Sequence, residues 1–268
     1  MQRTTAAWKH HYSMAAAAPV SSTQSINTTT TTTKRTPLSD IGGRLAGASL
    51  LCFSIDPYLC SVYFLLGKER YNAQWPYGSD RWSDFGGKVT PSDRGPEETA
   101  AREFFEETMA LVRYFPDDTL PRKGWQDIAD DLKAGHYVFK LTQGDCKKRF
   151  VVYMKQVPWD PEAVGRFASW RYALTKGGVG GTYRVPWDAI VNHPGVKMPS
   201  QTVRKQFLEK RTLGFWSVPQ LQYALDHGGI MTRHNGKHVE HCRSSFLHSL
   251  ELIMGELMFH EPTLIHPE

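Results

Sequence analysis

The sequence predicts an α/β chain in which a mixed sheet lies between helices. Three observations point there. Runs rich in β-branched and aromatic residues alternate along the chain with stretches of helical periodicity. One apolar run closes on Gly86-Gly87 and leads into a stretch whose apolar residues recur at helical spacing. The 268 residues are 40% hydrophobic and 12% aromatic, which is ample for a buried core.

In chain order, Leu45 to Ile55 reads as a first strand, Pro57 as a turn and Ser61 to Lys68 as a second strand. Asp80 to Gly86 leads to the double glycine, and Glu97 to about Leu111 reads as a helix with Pro96 as its start signal. A short helix follows over Trp125 to Lys133. His136 to Thr142 and Arg149 to Val157 pair as a hairpin around Gln143-Gly144-Asp145. Glu162 to Leu174 reads as a helix, followed by the glycine-rich run Gly177 to Gly181 and a short strand, Tyr183 to Val185. Ser217 caps a helix running to Leu225. Ser244 to Met258 is amphipathic, with Phe246, Leu247, Leu250, Ile253, Met254 and Leu257 on one side. No internal repeat is visible.

The helix after Gly86-Gly87 carries the chemistry. At about 100° per residue, Glu103, Glu106 and Glu107 share one arc, while Ala101, Phe104, Phe105, Met109 and Val112 occupy the other side. Carboxylates one turn apart repel, so the crowding is unfavourable unless a divalent cation sits between them. An ordinary surface helix with solvated glutamates is the bland alternative. The preceding strand, the double glycine and Arg102 weigh against it.

Those residues resemble the Nudix hydrolases, whose box reads G-x5-E-x7-R-E-U-x-E-E-x-G-U with U bulky and apolar. Gly87 begins the box, and Arg102-Glu103-Phe104-Phe105-Glu106-Glu107 reproduces its core; the box extends to Ala110. There are three departures. Asp93 stands where the family has Glu, one extra residue separates it from Arg102, and Met109 replaces the family glycine. The insertion falls in the loop before the helix and leaves the spacing of the acids untouched. Met109 is expected to extend the helix towards Val112, where a glycine would let the chain leave through φ > 0. The resemblance implies an α/β/α sandwich over roughly Arg44 to Leu225, with only the box specific.

It also implies a metal-dependent pyrophosphohydrolase that cleaves a nucleoside diphosphate linked to another moiety, or a related diphosphate. Mg²⁺ (or Mn²⁺) would be held by Glu103, Glu106, Glu107 and the carbonyl of Gly87. Glu106 and Glu107 are the first choices as ligands, and Glu103 the next ligand or base. Arg102 is expected to fix a carboxylate by a forked hydrogen bond, and Lys88 either meets a phosphate or faces solvent. Two alternatives remain open: a Nudix-fold binding or regulatory protein without turnover, and a hydrolase of mRNA caps.

Composition bounds the partners. The first 39 residues hold no Asp or Glu, and Arg3, Lys9, Lys34 and Arg35 supply four of the chain's net +5 charges. The pI of 8.9 therefore describes mainly that segment, and a nucleic-acid-binding face is not indicated for the rest. This Ser/Thr/Ala-rich stretch reads as a disordered basic tail or as a mitochondrial or plastid transit peptide; without import, the cytoplasm is the expectation. Residues 40–268 are expected to form one catalytic domain with a C-terminal helical extension. No secretory signal is visible, and no apolar run approaches the ~20 residues of a membrane span. Cys52, Cys60, Cys146 and Cys242 show no pairing pattern, which favours a reducing compartment.

Other clusters carry less. His234, His238, His241 and Cys242 have zinc-binding residue types at a spacing that fits no standard site. Trp159, Trp170, Trp187 and Trp216 are expected to pack in the core. Neither G-x-S-x-G nor G-x-x-x-x-G-K-[ST] occurs, which removes a nucleophile elbow and a P-loop. Oligomeric state is not legible.

Overall fold

The computed structural model of the chain describes residues 43–120, 124–145, 147–176, 207–233 and 238–260. The basic leader, Cys146, Gly177 to Gly181, Tyr183 to Val185, Trp187 and His234 lie outside the described residues.

Nine strands and five helices are described. They are β1 (Arg44–Asp56), β2 (Ser61–Glu69), β3 (Trp82–Ser83), β4 (Phe85–Lys88), α1 (Pro96–Glu107), α2 (Gln126–Lys133), β5 (Phe139–Gly144) and β6 (Lys148–Gln156). Then come α3 (Ala163–Lys176), β7 (Lys210–Ser217), α4 (Val218–Asp226), β8 (Ile230–Arg233), β9 (His238–His241) and α5 (Ser244–His260). Seven strands form one sheet with the path β3-β2-β1-β6-β5; β4 pairs with β1 and β7 with β2. β1 and β6 run parallel, and the other pairs are antiparallel, so the sheet is mixed as expected.

Strand parity sorts the apolar residues into two cores. Ala48, Leu50 and Cys52 of β1, Leu65 of β2 and Val151 and Tyr153 of β6 face α1, α2 and α3 through Phe104, Phe105, Ile128, Leu132 and Phe167. Their sequence neighbours Leu51, Phe53, Phe64, Leu66, Val152 and Met154 face α4 and α5 through Leu221, Phe246, Leu250 and Ile253. A strand buried on both faces reads as a continuous apolar run, as Leu50 to Phe53 does. The result is an α/β/α sandwich. Each fully buried Leu or Phe on either face contributes about 1.5–3 kcal/mol relative to exposure.

Three of the expected tryptophans pack in these layers. Trp216 is buried against Trp82, Trp159 lies between Tyr63 and Phe215, and Trp170 packs on the α1 side. The 217–226 helix is capped as expected, with the Ser217 backbone N–H donating to Gln220 Oε1 at 2.9 Å. No helix among the described residues is long and apolar enough to cross a membrane.

The structure corrects two readings and adds strands that the sequence did not show, β7 and the paired β8 and β9. The β5–β6 turn lies slightly later than Gln143-Gly144-Asp145: the Asp145 N–H donates to the Lys148 carbonyl, and Asp145 Oδ1 accepts from Lys147 and Lys148. Most consequentially, α1 stops at Glu107 rather than near Leu111. Met109 and Ala110 take φ values of 54° and 56°.

That helix end is a Schellman motif, in which the Met109 N–H donates to the Glu106 carbonyl and the Ala110 N–H to that of Phe105. The backbone thus keeps the left-handed conformation a glycine would adopt freely. Met109 is fully buried, and its packing offsets the roughly 1–2 kcal/mol cost of a side chain in that conformation. Comparing Met109→Gly with Met109→Ala cancels most of the lost packing. Glycine is expected to be the more stable by about 1 kcal/mol in chemical denaturation. The reverse order would mean that the helix continues through residue 109.

Candidate metal centre

α1 lies against β1 and β4, which sets its acidic edge beside the strand that ends in Gly86-Gly87. Gly95 and Pro96 start the helix, and Glu97 and Glu98 sit in its first turn, where the helix dipole favours negative charge. Glu98 is tied down by Arg94 and Lys133, each at 2.8 Å.

Arg102 organises the acids. Its Nε and Nη2 fork onto Asp93 at 3.1 and 3.0 Å, Nη1 reaches Glu103 at 2.9 Å and Glu106 at 3.3 Å, and Nη2 also donates to the Lys88 carbonyl. Asp93 additionally accepts from the Thr90 N–H and the Thr99 hydroxyl, so the loop carrying the inserted residue is closed on Asp93. Burial works against ionising Asp93, but the Arg102 fork holds its carboxyl below the usual range. The shorter side chain at position 93 therefore still meets the arginine. Lys88 meets this network through its backbone; its side chain is exposed.

Gly87 has a steric reason to be glycine. A Cβ there would lie 2.2 Å from Glu103 Oε1, so the Cα itself lines the carboxylate. Its carbonyl oxygen lies beside Gly47 of β1, where a Cβ would approach it to 2.4 Å.

The carboxylates that converge are Glu103, Glu107 and Glu209, with one oxygen from each within 4.8 Å of the others. All are hard oxygen donors, the set that Mg²⁺ and Mn²⁺ take. Glu209 precedes β7 and was missed by sequence reasoning. Glu106 stands to one side of this trio, on Arg102. Burial first, and then the charges of Glu103 and Glu209, push the Glu106 carboxyl up to about 7; burial likewise raises Glu103.

Because the folded pKa of Glu106 lies above the ordinary 4.5, the folded state binds more protons than the unfolded state between those values. Stability from this group therefore falls as pH rises through that window, by up to about 3 kcal/mol. Glu106→Gln should abolish that part of the pH dependence. Parallel urea titrations of the two proteins would show it, and identical pH profiles would place Glu106 in water.

A buried cation completes the site. Lys210, 1% exposed, donates to Glu69 Oε1 at 2.6 Å, Ser83 Oγ at 2.8 Å and the Asp84 carbonyl at 3.1 Å, and pairs with Glu107 Oε1 at 3.2 Å. Gly67 makes room for its stem, since a Cβ would meet Lys210 Cγ and Cδ at 2.8 Å. Burial disfavours the ammonium, but Glu107 and Glu69 outweigh it and raise the Lys210 pKa. Burial also pushes Glu107 towards its protonated form. The ammonium opposes that shift, and the Gly86 N–H donates to Glu107 Oε2 at 2.9 Å.

Of the zinc-type residues, the side chains of His241 and Cys242 are described, and they do not converge on a metal site. Cys242 is buried with its thiol against the Met231 sulfur, His241 is exposed, and among the described residues Glu103, Glu107 and Glu209 form the one group able to hold a metal.

Comparison with known proteins agrees with the box. The family model described as "NUDIX domain" matches residues 61–172, from β2 into α3. No curated protein matches. Among solved structures, the NUDIX domain of Shewanella oneidensis NrtR, complexed with ADP ribose, is similar at 10% identity, covering 80% of this chain and 88% of that one, with a TM-score of 0.37. A MutT/nudix family protein from Enterococcus faecalis is similar at 8% identity over 83% and 66% of the two chains, with a TM-score of 0.39. A C. elegans Ap4A hydrolase follows at 16% identity, 42% and 67% coverage and a TM-score of 0.26.

Proposed function

Since the chain carries a Nudix domain across residues 61–172, we propose that it is a metal-dependent pyrophosphohydrolase acting on a diphosphate-linked small molecule. The convergence of Glu103, Glu107 and Glu209 beside the glycine turn carries this reading. These three residues would hold Mg²⁺ or Mn²⁺, and the ion when bound would neutralise charge developing on the phosphoryl oxygens. Arg102, locked by Asp93, positions Glu103 and Glu106 rather than reaching for substrate. Glu106, with its carboxyl near neutrality, is suited to take a proton from the attacking water. Two of the departures from the box, Asp93 and Met109, preserve the local geometry they stand in.

One observation favours a binding protein without turnover. The Lys210 ammonium already supplies Glu107 with a positive charge, as a resident cation would. The two readings separate in a single experiment: purified full-length protein is incubated with nucleotide sugars, dinucleoside polyphosphates, NADH, coenzyme A, oxidised nucleotides and capped RNA, with and without Mg²⁺ or Mn²⁺. Metal-dependent release of phosphate-bearing products from a small molecule supports the hydrolase. Tight binding of a diphosphate with no product under any metal supports the binding protein, and release confined to capped RNA supports the cap hydrolase.

A further inference from the structure

We propose that Arg70, Arg171 and Arg211 form a phosphate-chain subsite beside the carboxylates. The substrate then carries at least one ionised phosphate beyond the two of the cleaved diphosphate. This rests on the hydrolase reading and narrows it to polyphosphates.

Three elements bring these arginines to the segment that presents Glu209. Arg70 follows the end of β2, and its backbone N–H donates to the Glu209 carbonyl at 2.7 Å. Arg171 projects from α3, and its Nε donates to the Lys210 carbonyl at 2.9 Å, which fixes the guanidinium's orientation. Arg211 is the extra residue of a β-bulge: Thr212 pairs with Lys68 and Lys210 with Glu69, leaving Arg211 unmatched between them. Bulges re-aim side chains next to active sites. Lys210 is buried, while its chain neighbours Glu209 and Arg211 are exposed. A metal-site carboxylate and a guanidinium thus flank the buried lysine.

The arginines are close enough to feel one another. Burial, and then Arg70 and Arg211, hold the Arg171 guanidinium below its usual range. Among the described ion pairs, Asp80 is the acid on Arg211, at 2.6 Å, and it also faces the buried Lys68. The planar forks of guanidinium groups fit phosphate oxygens. Tyr71, 61% accessible, follows Arg70 in the chain and is an aromatic suited to meet a base. A nucleotide sugar, with only its two bridging phosphates, would spend both on the metal side.

The test uses inorganic probes in metal-free buffer with EDTA, so that the carboxylates contribute nothing attractive. Calorimetry on the full chain should show inorganic triphosphate binding at least about tenfold tighter than diphosphate. Arg70→Gln and Arg211→Gln, both at exposed positions, should each erase most of that preference without changing the melting temperature. Equal affinity for the two anions, or a preference that survives both substitutions, overturns the proposal, as does affinity that appears only with an RNA body attached. Hydrolysis of diphosphate compounds without any triphosphate preference would sink the arginine subsite alone. Triphosphate preference without hydrolysis of any substrate would leave the subsite standing and sink the hydrolase reading.

Discussion

Replacing Glu107 by Gln is expected to lower turnover by about a thousandfold while leaving the fold standing. Gln keeps the volume and the helix propensity, and its amide oxygen can still accept from the Gly86 N–H. What is lost is one of three negative oxygens able to hold the ion. A metal site supplies several kcal/mol of charge stabilisation in the transition state, and about 4 kcal/mol corresponds to roughly three orders of magnitude in rate. Stability should fall by only about 1–3 kcal/mol, because Lys210 retains Glu69, Ser83 and the Asp84 carbonyl. The measurement is kcat against metal concentration, with a melting curve alongside. Near-normal turnover with normal metal dependence would remove Glu107 from the site. Glu209→Gln should behave similarly, and a silent Glu209 substitution would reduce the centre to the acids of α1.

The box was legible because local spacing determines it. A helix places residues three and four apart on one side, so the acidic edge and the apolar face of α1 could be read without knowing what packs around them. Continuous apolar runs similarly exposed β1, β2 and β6. What escaped depends on long-range pairing. The segment Glu209-Lys210-Arg211 reads as a solvated charge run, and only its pairing with Glu69 at the end of β2 drives Lys210 inward while turning its neighbours out. Met109 failed for a different reason. Propensity favours a helix through methionine, but burial of its side chain and the Schellman hydrogen bonds override it. Arg102 shows the reverse, since its fork requires only a carboxylate within reach, and Asp93 meets it despite the shorter side chain and the insertion.

Lys210→Met is expected to cost about 3–5 kcal/mol of stability, the range for removing one partner of a buried ion pair. The penalty comes from what is left behind: Glu107, 2% exposed, and the half-buried Glu69 lose the cation they share. The pH dependence follows with a definite sign. In the wild type the Lys210 pKa is raised, so its contribution is fully present below the ordinary lysine value of 10.5 and lost only as pH climbs past the raised one. Across the neutral range the wild type therefore gains nothing from acid at this group. In the variant, burial pushes the orphaned Glu107 carboxyl up, so it takes on a proton as pH falls, and the deficit should shrink between about pH 8 and pH 5. Mg²⁺ or Mn²⁺ should raise the melting temperature of the variant more than that of the wild type, because a bound cation replaces the missing charge. Urea titrations at both pH values, with and without metal, test all three statements. A deficit below about 1 kcal/mol, or one that does not change with pH, would show that Lys210 is not the counter-charge of this site.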